Sequence, residues 1–152
     1  MTRTPLIAAA AVLTALGGAG VAGAEPVAPQ PGAGCGGLDG ALTQLADQRL
    51  LACRDEVWSV DADVYPSSAR WYSYGPVLTL TGQGRRNPEF GAGGWIGTPQ
   101  DGESSCTATL HEVRHAGELA PPQTVTGEPG QPLALTASAQ LFDIDLAGSC
   151  LW

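Results

Sequence analysis

The stretch Leu133-Ala134-Leu135-Thr136-Ala137-Ser138-Ala139-Gln140-Leu141-Phe142-Asp143-Ile144-Asp145-Leu146 carries its apolar side chains on odd positions up to Leu141, then on Phe142, Ile144 and Leu146. Alternation with a period of two marks a strand with one buried face, because successive side chains leave a strand on opposite sides. The change of parity after Leu141 moves the apolar set to the other face. A chain accommodates that with a β-bulge or by crossing from one sheet to another. The same period recurs upstream, where Trp58, Val60, Ala62 and Val64 alternate with Ser59, Asp61 and Asp63. Arg70 to Thr81 reads as two strand pieces joined by a bend at Gly75-Pro76. Gly82 to Gly97 holds six Gly and Asn87-Pro88, and reads as an exposed loop or wide hairpin with Phe90 and Trp95 as its large residues.

One segment follows a different period. Leu38, Ala41, Leu42, Leu45, Ala46 and then Leu50 or Ala52 fit i, i+3, i+4, i+7, with Asp39 near the start, which predicts a helix over 38–52. With 21 Gly and 12 Pro in 152 residues, turns dominate and a long bundle is excluded. The expected fold class is mainly β: a small disulfide-stabilised β-sandwich or barrel with one N-terminal helix packed on it.

Residues 1–24 read as a signal peptide. Arg3 supplies a positive start, Leu6 to Leu16 is apolar apart from Thr14, and Ala22-Gly23-Ala24 has the small-x-small form that signal peptidase cuts. The apolar run is shorter than the roughly 20 residues that span a bilayer. Residues 25–36 form a Pro/Gly-rich lead-in expected to lack fixed structure, and residues 37–152 a single mainly-β secreted domain. Past the leader the chain has six Arg, no Lys and fifteen acids, a formal charge of −9 with His neutral. Such a chain repels nucleic acid, whose binding needs clustered cations to replace phosphate counterions. Anionic membrane surfaces are disfavoured for the same reason.

Four Cys with no C-x-x-C pair, in an exported chain, predict two disulfides. Four Cys permit three connectivities; Cys35–Cys53 and Cys106–Cys150 are preferred because each pair falls within one half of the chain. The Lys-free, Gly- and Ala-rich usage points to a bacterial exported protein, secreted to the extracellular space or cell envelope.

His111-Glu112-Val113-Arg114-His115 matches H-E-x-x-H and resembles the active-site signature of the zincin metallopeptidases. The resemblance implies a small secreted zinc-dependent peptidase, with His111 and His115 as zinc ligands and Glu112 as general base. It covers these five residues, and the third ligand would have to be a carboxylate such as Glu118, Glu128, Asp143 or Asp145. The chemistry requires a helix, on which residues four apart share a face; on a strand the two His stand about 13 Å apart. Ser105 as a cap, a stripe of Cys106, Leu110 and Val113, and Gly117 with Pro121-Pro122 beyond it speak for a helix. The β-branched Thr107, Thr109 and Val113, the missing capping box and the β-like surroundings speak for a strand and outweigh the first reading.

Asp55, Glu56, Asp61 and Asp63 offer oxygen ligands for Ca²⁺, although a solvated strand face accounts for them better. Arg85-Arg86 has the form of a bait for a trypsin-like protease, which would make the chain a protease inhibitor. Trp58, Trp71, Trp95 and Trp152 together offer a sugar or peptide platform, but they are expected mostly in the core, with Trp95, beside Gly94 and Gly97, the one partly exposed. The first functional expectation is therefore a secreted, acidic, disulfide-bonded binding module without catalytic activity or cofactor. Its binding surface would be formed by Arg85, Arg86, Phe90 and Trp95, its partner would be an extracellular protein, peptide or glycan, and it would act as a monomer. Zinc enters only with the peptidase alternative.

Overall fold

The computed structural model describes residues 27–115 and 117–152; the expected leader, residues 1–24, falls outside the described residues. In chain order the strands are β1 (Leu42–Gln44), β2 (Leu50–Arg54), β3 (Val57–Asp61), β4 (Tyr72–Tyr74), β5 (Leu78–Thr81) and β6 (Gly93–Pro99). They continue as β7 (Thr107–His115), β8 (Glu118–Leu119), β9 (Gln123–Thr126), β10 (Leu133–Ala137), β11 (Leu141–Ala147) and β12 (Ser149–Leu151). Three antiparallel sheets result, with orders β1-β2-β3, β10-β6-β12-β4 and β5-β11-β7, β8 and β9 both lying along the far edge of β7. The fold is mainly β, and among the described residues no sheet closes into a barrel.

The parity change after Leu141 produces both outcomes it allows. The chain leaves β10, at the edge of the four-stranded sheet, and enters β11, in the middle of the five-stranded one. The register of β11 on β7 also shifts between Leu141 and Asp143. Leu135 and Ala137 before the switch and Leu141, Ile144 and Leu146 after it are all buried. They join one core with Trp71, Leu78, Leu80, Phe90, Ala108, Leu110 and Trp152, so the two larger sheets share it. Gly97 belongs to this packing: a Cβ there would stand 2.6 Å from Cζ3 of Trp152, so the Trp ring lies directly against bare backbone.

A second, smaller core of Leu38, Ala41, Leu45, Leu51, Trp58 and Tyr74 joins the three-stranded sheet to the other face of β4. Ser73, between Tyr72 and Tyr74, points the opposite way and accepts a hydrogen bond from Nε1 of Trp152 at 3.0 Å. Each core holds one disulfide, Cys35–Cys53 in the smaller and Cys106–Cys150 in the larger, with Cα separations of 5.9 and 5.8 Å. Both are the pairs preferred from the sequence.

Three expectations are corrected. The helix over 38–52 is replaced by turns, β1 and β2. Ala41, Thr43 and Leu45 are buried at every second position, and residues four apart coincide in both periods, so the apolar spacing was ambiguous there. Gly40 at φ +76° and the bond from Arg49 N–H to Oδ1 of Asp47 decide for turns, since left-handed backbone and side-chain competition for amides both interrupt a helix.

The alternating face of 58–64 is buried only at Trp58, whereas Val60 and Val64 are 53% and 77% exposed. β3 ends at Asp61, where Asp61 and Asp63 side chains accept the amides of Asp63 and Tyr65 and turn the chain away from the sheet. The lead-in, finally, described from Val27, is paired from Gly32 onward: Gly32 N–H donates to Trp58 O, Trp58 N–H to Ala33 O and Cys35 N–H to Glu56 O. It covers the outer edge of β3, which would otherwise present unpaired amides.

The β2–β3 hairpin turns on Asp55 and Glu56, at φ +51° and +61°. A two-residue turn with both centres left-handed matches strand twist but suits Asn-Gly, and Glu in this conformation carries a steric cost of about 1 kcal/mol. Glu56→Gly is therefore expected to stabilise the fold by roughly 0.5–1 kcal/mol in urea unfolding. A destabilisation would show that Glu56 makes a compensating contact.

Candidate functional site

The β3–β4 connection and the β5–β6 connection stand side by side and enclose an open cleft of about 630 Å³. Tyr65, Ser67 and Ser68 line one wall, Asn87, Pro88 and Glu89 the other, and Trp95 of β6 closes it. Trp95 is fixed from beneath. Its ring stacks on Phe90 with centroids 3.8 Å apart and planes 20° from parallel, and its Nε1–H donates to Gly91 O at 3.0 Å. Phe90 itself is fully buried in the main core.

Glu89 is aimed by Thr81, whose backbone N–H and Oγ1–H both donate to Oε2, at 2.8 and 3.0 Å. Among the described residues Oε1 of Glu89, the Asn87 amide and the hydroxyls of Tyr65 and Ser67 have no side-chain partner, leaving donors and acceptors for a ligand. A second groove of about 210 Å³ adjoins the first, sharing Tyr65, Asn87 and Glu89 and adding Arg86.

Of the four residues expected at a binding surface, the structure brings Arg86 and Trp95 to this region. Phe90 is a correction: it is a core residue, 0% exposed, because the chain returns to the sheet at residue 90, where its N–H bonds to Thr81 O. Arg85 is engaged elsewhere. Its Nη1 pairs with Oδ1 of Asp143 at 2.7 Å and its guanidinium lies 4.8 Å from the Phe142 ring centre. The 82–87 segment is braced on β11 by Gly82 N–H to Phe142 O and Gly84 N–H to Leu141 O, and Asn87 is left-handed at φ +53°. The segment after Arg86 is thus turned, whereas strand-addition recognition of a peptide uses extended backbone.

The segment His111 to His115 lies on β7 near the tip of its hairpin with β8. The two imidazoles are therefore about 13 Å apart along the strand and do not converge on one ion. Nε2 of His111 meets Oδ2 of Asp145 at 3.1 Å, Asp145 also accepts from Thr79 Oγ1, and Asp143 opposite His111 is held by Arg85. Glu112, on the other face of the strand, accepts a hydrogen bond from Ser138 Oγ. His115 is exposed beside Glu118. Among the described residues no three His, Cys, Asp or Glu side chains are grouped to hold a metal. The acidic residues 55–63 are likewise dispersed: Asp55 and Glu56 form the hairpin turn, Asp61 pairs with Arg54 at 2.6 Å, and Asp63 caps Tyr65 N–H.

Tyr65, Ser67, Asn87 and Glu89 were not singled out from the sequence. The only local signal for them is a Tyr within the turn-rich 63–68 segment and the Asn87-Pro88 turn, more than 20 residues away. Comparison with protein-family models, curated proteins and solved structures finds no match for this chain. Among the described residues no helix is long and apolar enough to cross a membrane.

Proposed function

We infer that the chain is a secreted, disulfide-bonded binding module, acting as a monomer outside the cell or in its envelope, which holds a ligand in the Tyr65–Trp95 cleft without catalysis or cofactor. The observation that carries this reading is the aromatic ring of Trp95, clamped by Phe90 and Gly91, facing a cleft with unpaired polar groups. Rings held in place lose little conformational freedom on binding, and a concave site with few convergent polar groups is the usual form of a ligand site. Two disulfides suit an oxidising compartment. The two larger sheets, sharing one core and tied by Cys106–Cys150, serve as a β-sandwich that displays the cleft.

The four Trp indole N–H resonances provide the test. On adding mixtures of soluble peptides and oligosaccharides, the Trp95 signal is expected to shift while those of Trp58 and Trp152, buried away from the cleft, stay in place, and Tyr65→Ala is expected to weaken the response. If neither mixture moves the Trp95 signal, the cleft is not a binding site.

A further inference from the structure

The geometry points to a neutral oligosaccharide as the ligand of this cleft, an inference that rests on the cleft being the binding site. Its apolar lining comes from the aromatic side chains of Tyr65 and Trp95 together with Pro88 and Ala69, and among the described residues no Val, Leu, Ile or Met lines it. A pyranose ring fits such a surface because its C–H faces pack on aromatic faces while its hydroxyls radiate sideways. The polar groups at that rim are Ser67, the Asn87 amide and the free Oε1 of Glu89. An amide and a carboxylate together donate to and accept from vicinal hydroxyls.

Charge narrows the class. Glu89 stands in both grooves, and the chain past the leader carries fifteen acids against six Arg, so phosphate, sulfate and uronate groups are repelled. Arg86 lines the second groove and not the first, together with Glu89. Extension matters as well. The second groove shares Tyr65, Asn87 and Glu89 with the first, so a chain of sugars has a further surface to engage beside the main cleft. Strand addition of a peptide needs a free strand edge, whereas the walls at 65–69 and 87–89 are bends and irregular backbone; aromatic grooves also take Pro-rich peptides, which the peptide contrast below tests.

The test uses the oxidised chain and four soluble probes, oligosaccharides derived from cellulose, xylan, chitin and starch, with oligogalacturonate and a pool of unstructured peptides as contrasts. At least one neutral probe is expected to shift the Trp95 indole signal. Tyr65→Ala, read at the Trp95 indole, and Trp95→Ala, read by titration calorimetry, are each expected to weaken that probe by about tenfold or more, as loss of an aromatic anchor does. Tyr65 is 64% exposed, so its replacement keeps the fold and isolates binding. The affinity is expected to stay level between low and high salt, because no charge pair forms. A Trp95 shift with peptides or oligogalacturonate alone, or a steep salt dependence, overturns the sugar assignment while leaving the cleft as the site. Silence of all probes removes the site itself.

Discussion

Replacing both Cys106 and Cys150 with Ala is expected to lower the stability of the fold by about 4 kcal/mol, the loop-closure value for a bridge spanning 44 residues. The bond joins the start of β7 in the five-stranded sheet to β12 in the four-stranded sheet, and both Cys are 0% exposed. Without it, the denatured chain regains the freedom of nearly its whole C-terminal third, and the contact between the two large sheets depends on side-chain packing alone. A domain of this size typically has 5–15 kcal/mol in total, so the loss is a large fraction of it. Urea unfolding of the double variant against the oxidised parent measures the difference. The corresponding variant at Cys35 and Cys53, whose bridge spans 18 residues, is expected to lose about 3 kcal/mol by the same model. A loss below about 1 kcal/mol at Cys106–Cys150 would mean that the denatured chain already holds these ends together.

Phe90→Ala is expected to cost about 3–5 kcal/mol, the range for removing a fully buried aromatic ring and leaving a cavity. The ring is 0% exposed and forms the floor on which Trp95 stacks at 3.8 Å. Its loss therefore has a second readout, displacement of the Trp95 indole signal, which a distant core substitution such as Leu146→Ala does not produce. Phe90→Leu retains most of the volume and is expected to lose only about 1–1.5 kcal/mol. Were Phe90 on an exposed loop, both substitutions would fall within about 0.5 kcal/mol of the parent, as surface changes do. The experiment thus separates support of the site from contact with its ligand, roles that the spacing of Phe90 and Trp95 along the chain does not distinguish.

Legibility in the sequence followed the range of the interactions. Leu141, Ile144 and Leu146 announced their strand and its change of face because a two-residue period is imposed by the pleat itself, whatever lies across the core. The bend at Gly75-Pro76 was equally local, and it separates β4 in one sheet from β5 in another. The segments 38–52 and 111–115 were less readable, since residues four apart share a face in both helix and strand. Pairing with β3 and β11 resolved them as strands. The match to a zinc-binding pattern fell with the helix it required.

What the residues determined on their own is an acidic chain, β in class, with an even Cys count, because composition and short-range periodicity are set by each segment independently; which of three Cys pairings forms was decided by the structure. Tertiary structure alone decided that Phe90 lies inside and Trp95 on top of it, and that Tyr65 faces Asn87 and Glu89 across a cleft. Those neighbours are brought together by the packing of β5, β6 and β11 and by turns more than 20 residues apart. No period within a single segment encodes which turn will stand beside which, since that follows from strand order and from the bonds that hold two sheets on one core.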